Sequence, residues 1–245
     1  GISKKNWVSH LRYIYSNDRV GIPGHSHDSI INPLEFQVDK TSRESIIPVQ
    51  KIQNHIFSFE NKFFFGKNEL ELLVGNTFND LSEYEEKYTI PGMQVKLNST
   101  ILNLRYKHVF SHEWKLITGY QGMYQINKNN PKAEEQLIPA FDQLDNGIYA
   151  IGYFSKNKWN AQIGARYDLR ILNASEKQFK SNYGSPNFSI GGTHSSTLNT
   201  FRLNISTGFR APHLSELFSD GIHHGTLRYE IGDQSLKSEY ATQID

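Results

Sequence analysis

Apolar and polar side chains alternate strictly along several segments of this chain. In the ten residues from Phe201 to Arg210, one set of alternate positions is almost wholly apolar and the other is polar or charged. The segment from Trp159 to Arg170 repeats the pattern, with two arginines and an aspartate among its polar positions. Successive side chains of a β-strand point to opposite faces, so these segments are predicted strands with one apolar and one polar face.

The same reading predicts nine strands and the start of a tenth. Helix signals are nearly absent, and the predicted fold class is all-β. Two strands are less regular: Asn61 interrupts an apolar face, and the segment 146–154 is apolar on both faces. The predicted strands are at about 6–15, 53–64, 69–79, 98–110, 113–126, 146–154, 158–171, 187–192 and 200–210, with another beginning near 239.

The predicted connections alternate between short and long. In an antiparallel meander this places all the short turns at one end of the sheet and all the long links at the other. Outer-membrane barrels have this arrangement, with short turns in the periplasm and long loops outside the cell, so strand 200–210 is predicted to run outward. Short turns are predicted at about 65–68, 111–112, 155–157 and 193–199, and long links at about 16–52, 80–97, 127–145, 172–186 and 211–238.

Composition narrows the function classes. The 245 residues include no cysteine and carry a net charge of +1, which offers no basic surface for nucleic acid. No run approaches the roughly 18 apolar residues of a spanning helix, and the first ten residues lack the apolar core of a signal peptide. Neither a Gly-x-Ser-x-Gly elbow nor a glycine-rich phosphate loop occurs, and we expect no enzyme and no bound cofactor.

Two motifs follow the outward strand. Residues 208–218 read GFRAPHLSELF, and residues 232–239 read GDQSLKSE. Together they resemble a barrel segment of TonB-dependent outer-membrane receptors, in which GFRAP and ELF precede a loop and a GNxxLKPE sequence. Asp233 and Ser238 depart from the usual Asn and Pro. The sequence GARYD at 164–168 resembles a repeated strand motif of the same family.

The resemblance implies that residues 1–245 are a partial receptor barrel of about nine or ten strands. Barrels of this family have about 22 strands around a plug domain, so the plug and the remaining strands are expected to be absent from this segment. The resemblance also implies the bacterial outer membrane as location, with outer-membrane lipid and the TonB energy-coupling complex as partners. Arg210 and Glu239 are expected to point into the barrel, where a plug could pair with Arg210.

A histidine-containing stretch lies in the first long link. Residues 21–28 read GIPGHSHD, which resembles the external loop of zinc receptors in the same family. Zinc accepts histidine nitrogen and aspartate oxygen, so His25, His27 and Asp28 are candidate ligands. His223 and His224 lie in another link at the same predicted end. A simply solvated His-x-His pair is the alternative.

The function predicted from these features is active import of a scarce ligand, zinc or another metal ion or chelate, energised through TonB. Siderophore or haem import is the alternative within the family. A passive pore or adhesin on the same barrel, and a soluble β-sandwich binding module, are the alternatives from other classes.

Overall fold

A computed structural model describes residues 1–21, 47–84, 87–134, 136, 138–223 and 228–245, with the backbone alone for 221–223 and 228. Eleven strands form one antiparallel sheet, and a separate hairpin forms a second sheet. The main strands are β1 (Ile2–Lys4), β2 (Trp7–Gly21), β3 (Val49–Phe65), β4 (Asn68–Tyr84), β5 (Met93–Val109), β6 (Trp114–Asn129), β7 (Phe141–Lys156), β8 (Trp159–Ala174), β9 (Phe179–Ser195), β10 (Thr200–Arg210) and β13 (Glu239–Ile244).

The large sheet is a meander, because its order β1 to β10 follows the chain and β13 pairs with β10. The predicted strands are all present. They are longer than predicted, and nearly all of the additional length lies toward the long-connection end. There both faces carry polar residues, as in Ser181, Asn182 and Ser185 of β9, and apolar alternation no longer marks the strand.

The connections keep the predicted parity. Turns of two to four residues join β3 to β4, β5 to β6, β7 to β8 and β9 to β10 at the short-turn end. One predicted long link, 172–186, is instead a tight connection through a 3₁₀ turn at Ser175–Lys177, because β8 and β9 extend toward each other.

The connection from β10 to β13 contains structure that the alternation pattern did not predict. It forms a short helix α1 (Leu214–Phe218) and the hairpin of β11 (Asp220–His223) with β12 (Arg228–Ile231). Among the described residues, no helix is long and apolar enough to cross a bilayer.

The two faces of the large sheet differ as the alternation predicted. On the apolar face Ile148, Ile163 and Leu203 remain 61%, 63% and 57% exposed. Within the described ranges no second sheet packs against this face, whereas a β-sandwich would bury it. The buried core lies instead on the polar face at the long-connection end, where Leu214 and Leu217 of α1 pack against wall residues. Those wall residues are Phe141, Leu172 and Ala174.

Candidate functional site

Aromatic side chains border the apolar face at both ends. Trp7, Trp114 and Trp159 lie beside the short turns, and Tyr15, Tyr124 and Tyr167 lie eight to ten residues further along the same strands. At about 3.3 Å per residue and a tilt of about 40°, this spacing is roughly 20–25 Å. That is the height of the apolar band of a transmembrane barrel, which has aromatic girdles at its two interfaces.

Charged residues on the polar face form a network near the short turns. Lys62 Nζ lies 2.6 Å from Glu71 Oε1 and 2.9 Å from Glu69 Oε1. The same two carboxylates accept hydrogen bonds from Arg105 at 2.8 Å and from Lys107 at 3.0 Å. Three cations therefore face two anions, and the network joins β3, β4 and β5 across the polar face.

A second network lies on β7 and β8. Arg170 forms two hydrogen bonds to the Asp145 carboxylate, at 2.7 and 2.9 Å. Arg166 donates to Asp168 at 2.7 and 2.8 Å and to Gln121 at 2.6 Å. Such bidentate contacts hold arginine in a fixed orientation. These parts of the polar face therefore form a wall of fixed ion pairs.

The sequence pattern identified only part of these networks. It placed Arg166, Asp168 and Arg170 on one face, which the structure confirms. It did not single out Glu69 and Glu71, although charges at alternate positions directly after a short turn were a usable signal. Asp145 was missed because β7 begins earlier than predicted.

The family-like motifs of residues 208–239 form a folded unit at the long-connection end. Arg210 donates to both carboxylate oxygens of Glu216, at 2.9 and 2.8 Å, and to those of Glu239, at 3.0 and 2.8 Å. Arg210 and Glu239 lie on the polar face as expected, but the partners of Arg210 are Glu239 and Glu216 of this chain rather than a plug. The His213 side chain and Glu216 form a capping box at the start of α1.

Hydrogen bonds and burial join the two motifs. The Gly232 and Asp233 amides donate to the Ser219 and Glu216 carbonyls, at 2.6 and 2.8 Å. A Cβ at Gly232 would lie 2.5 Å from the Phe218 nitrogen, so only glycine allows this approach. The pKa of Glu216 is lowered by the hydrogen bonds from Arg210 and from the His213 amide.

The predicted metal ligands are not brought together in what the structure describes. His25, His27, Asp28 and His224 lie outside the described residues, and only the backbone of His223 is described, at the end of β11. In the described ranges, no three His, Asp or Glu residues are grouped so that they could hold a metal ion. The metal site stays a prediction.

A family model for the "TonB dependent receptor-like, beta-barrel" domain matches residues 6–245. The chain belongs to the TonB-dependent receptor family. The sheet is accordingly part of a transmembrane β-barrel with its polar face inside, and the family match confirms the prediction of a receptor barrel rather than an enzyme. Among curated proteins, no sequence matches the receptor chain.

Several solved structures share the fold. The FrpB iron transporter from Neisseria meningitidis matches as its F3-3 variant with a TM-score of 0.68 and 13% identity, over 98% of this chain and 39% of that one. Its F5-1 variant gives 0.66 and 12%, over 87% and 36%. The ferric citrate transporter FecA in the unliganded form gives 0.57 and 12%, over 84% and 34%. The receptor chain thus spans little more than a third of these proteins.

Proposed function

We propose that this chain is the middle portion of a bacterial outer-membrane receptor that imports a metal ion or metal chelate with energy supplied through TonB. The observation that carries the proposal is the two-faced sheet, with an exposed apolar face between aromatic rows and a polar wall of ion pairs. Family membership over residues 6–245 supports the energy coupling. The structural similarity to FrpB, an iron transporter, and to FecA, a ferric citrate transporter, supports a metal cargo.

The polar wall is suited to holding a plug. Its charged side chains pair with one another, which holds them in place. They stay partly exposed toward the barrel interior, where a plug could form hydrogen bonds with them. A domain seated against such a wall can be moved without dismantling the wall itself. We infer that the plug and the remaining strands belong to other parts of the same protein, and that the TonB complex acts through that plug.

For the cargo we propose zinc, captured by His25, His27 and Asp28 with His223 and His224. The support is chemical: imidazole and carboxylate groups in two connections of the long-connection end match the ligands that zinc accepts. That end faces the outside of the cell in the family arrangement, so the same groups would meet the metal first.

Uptake in metal-limited cells tests the import proposal. Cells that make the full-length receptor should accumulate radioactive zinc, and disabling the TonB complex should abolish this uptake. Persistent zinc uptake without TonB would indicate a passive pore. If the cells import ferric citrate but not zinc, the cargo is a ferric chelate instead.

The ligand assignment needs a separate binding measurement. His25→Ala plus His27→Ala should weaken zinc binding to the purified receptor at least tenfold by calorimetry. His10→Ala plus His112→Ala removes two exposed histidines at the short-turn end and serves as the matched control. Equal affinities in the two double variants would overturn this zinc site while leaving the import proposal intact.

A further inference from the structure

The apolar face carries a groove whose floor is made of the smallest residues. Ala161 on β8 is paired with Gly192 on β9, and Gly152 on β7 lies diagonally across from Ala161, opposite Ile163. The groove has a volume of about 910 Å³. It lies near the short-turn end and extends from β6 to β10, which is the neighbour of the edge strand β13.

The chain itself does not fill this groove. A Cβ placed at Gly192 would meet no atom closer than 4.0 Å, and one at Gly152 none closer than 3.5 Å. Glycines of the polar face behave differently, because Tyr149 lies directly over Gly119 and Arg166 over Gly147. The space above Gly152 and Gly192 is therefore open, and larger side chains would fit there.

Aromatic rings form the rim of the groove. Trp114 and Phe154 contact each other with ring centroids 4.7 Å apart, and Trp159 and His194 with centroids 4.3 Å apart. Phe201 on β10 is paired with His194 and continues this aromatic row. An open apolar channel between such rings fits a flexible hydrocarbon chain, which gains contact area along its whole length.

Cations predominate where the groove meets the short turns. Lys156 lies at the end of β7 beside Trp159, and Lys158 follows in the turn. Glu113 is the facing anion, 2.9 Å from Lys156. Two cations against one carboxylate leave one surplus positive charge at the depth where lipid phosphates lie.

We propose that this groove is a binding site for an anionic phospholipid of the periplasmic leaflet, with one acyl chain over Gly152, Ala161 and Gly192 and the phosphate beside Lys156 and Lys158. The leaflet follows from the short-turn end, which faces the periplasm in this barrel class. The proposed lipid site does not depend on which cargo the receptor imports. It depends on the orientation of the barrel in the membrane, with the short turns in the periplasm.

Native mass spectrometry of the full-length receptor with added phosphatidylglycerol tests the site. We expect one retained lipid per receptor, and at least tenfold weaker retention after Ala161→Leu, which fills the floor. Ala165→Leu is the matched control, because it adds the same volume to the same face of β8 outside this groove. Gly192→Leu provides a second filling variant if Ala161→Leu fails to fold.

A second comparison tests the headgroup contact. Lys156→Gln plus Lys158→Gln should lower retention of phosphatidylglycerol at least fivefold, whereas Lys67→Gln in another short turn should not. Equal retention in Ala161→Leu and wild type would overturn the proposal, and so would equal loss in both leucine variants. A receptor dimer that disappears in Ala161→Leu would also overturn it, because a second copy would then occupy the groove.

Discussion

The indole Nε1 of Trp7 donates a hydrogen bond to Asn61 Oδ1 at 3.0 Å, between neighbouring strands of the apolar face. This contact explains the asparagine that interrupts the aromatic face of β3. Asn61 is only 6% exposed, because Trp7 stacks beside it on Phe63. A polar group is tolerated on a lipid-facing surface when its hydrogen-bonding capacity is used within the protein.

Asn61→Ala should therefore destabilise the barrel by about 1–3 kcal/mol, because it leaves the indole N–H unpaired. Urea unfolding of the full-length receptor in phospholipid vesicles measures the change. Trp7→Phe alone and combined with Asn61→Ala completes a double-mutant cycle. Strictly additive effects would show that the hydrogen bond contributes nothing to the free energy of unfolding.

An arginine introduced on the apolar face of β10 should lower the free energy of unfolding more than one introduced on the polar face. Leu203→Arg places a cation on the apolar face, between the short-turn interface and the bilayer midplane, and should cost about 1–3 kcal/mol. Asn204→Arg places the same cation on the polar face, where the cost should be small. Unfolding in vesicles compares the two variants directly. The facing assigned to β10 fails if both variants lose the same stability.

Gly232 should be irreplaceable in the unit formed by α1 and the following loop. Gly232→Ala would drive a methyl group into the backbone of α1 and should cost about 1–3 kcal/mol locally. Hydrogen exchange of the Leu217 and Ser219 amides in the full-length receptor reports this loss. Gly208→Ala is the control from the same motifs, since no atom lies within 4 Å of its Cβ position. Comparable exchange rates in both variants would contradict the assigned close approach.

Acid should loosen α1 through Glu216. Its pKa in the folded chain is lower than its ordinary value of 4.5, so the carboxylate contributes its full stabilisation above pH 4.5. That contribution is lost as the pH falls through the lower folded value. Amide exchange in α1, corrected for intrinsic rates, should accelerate below pH 4.5, and Glu216→Gln should flatten this dependence. An unchanged profile in the variant would assign the acid response to another group.

Alternation identified the strands because a bilayer-facing sheet must keep one apolar face, and this requirement acts only at membrane depth. The ends of β8 and β9 extend beyond that depth, so no periodic signal marked them. Helix α1 was missed for a different reason. Its five residues depend on Leu214 and Leu217 packing against β7 and β8, which a local pattern does not show. The alternation predicted which face of the sheet each charged side chain occupies. It did not predict the ion-pair partners, because these depend on the register between neighbouring strands.

The length of β8 and β9 beyond the aromatic row has a consequence for cargo. From Tyr167 to Ala174 the strand continues for seven residues, which rises about 15–20 Å above the outer girdle at the usual tilt. In the proposed importer, this extension and α1 would form the side of an aqueous vestibule. A solute would be enclosed there while still hydrated, and would exchange its water for protein ligands before it descends to the level of the hydrocarbon.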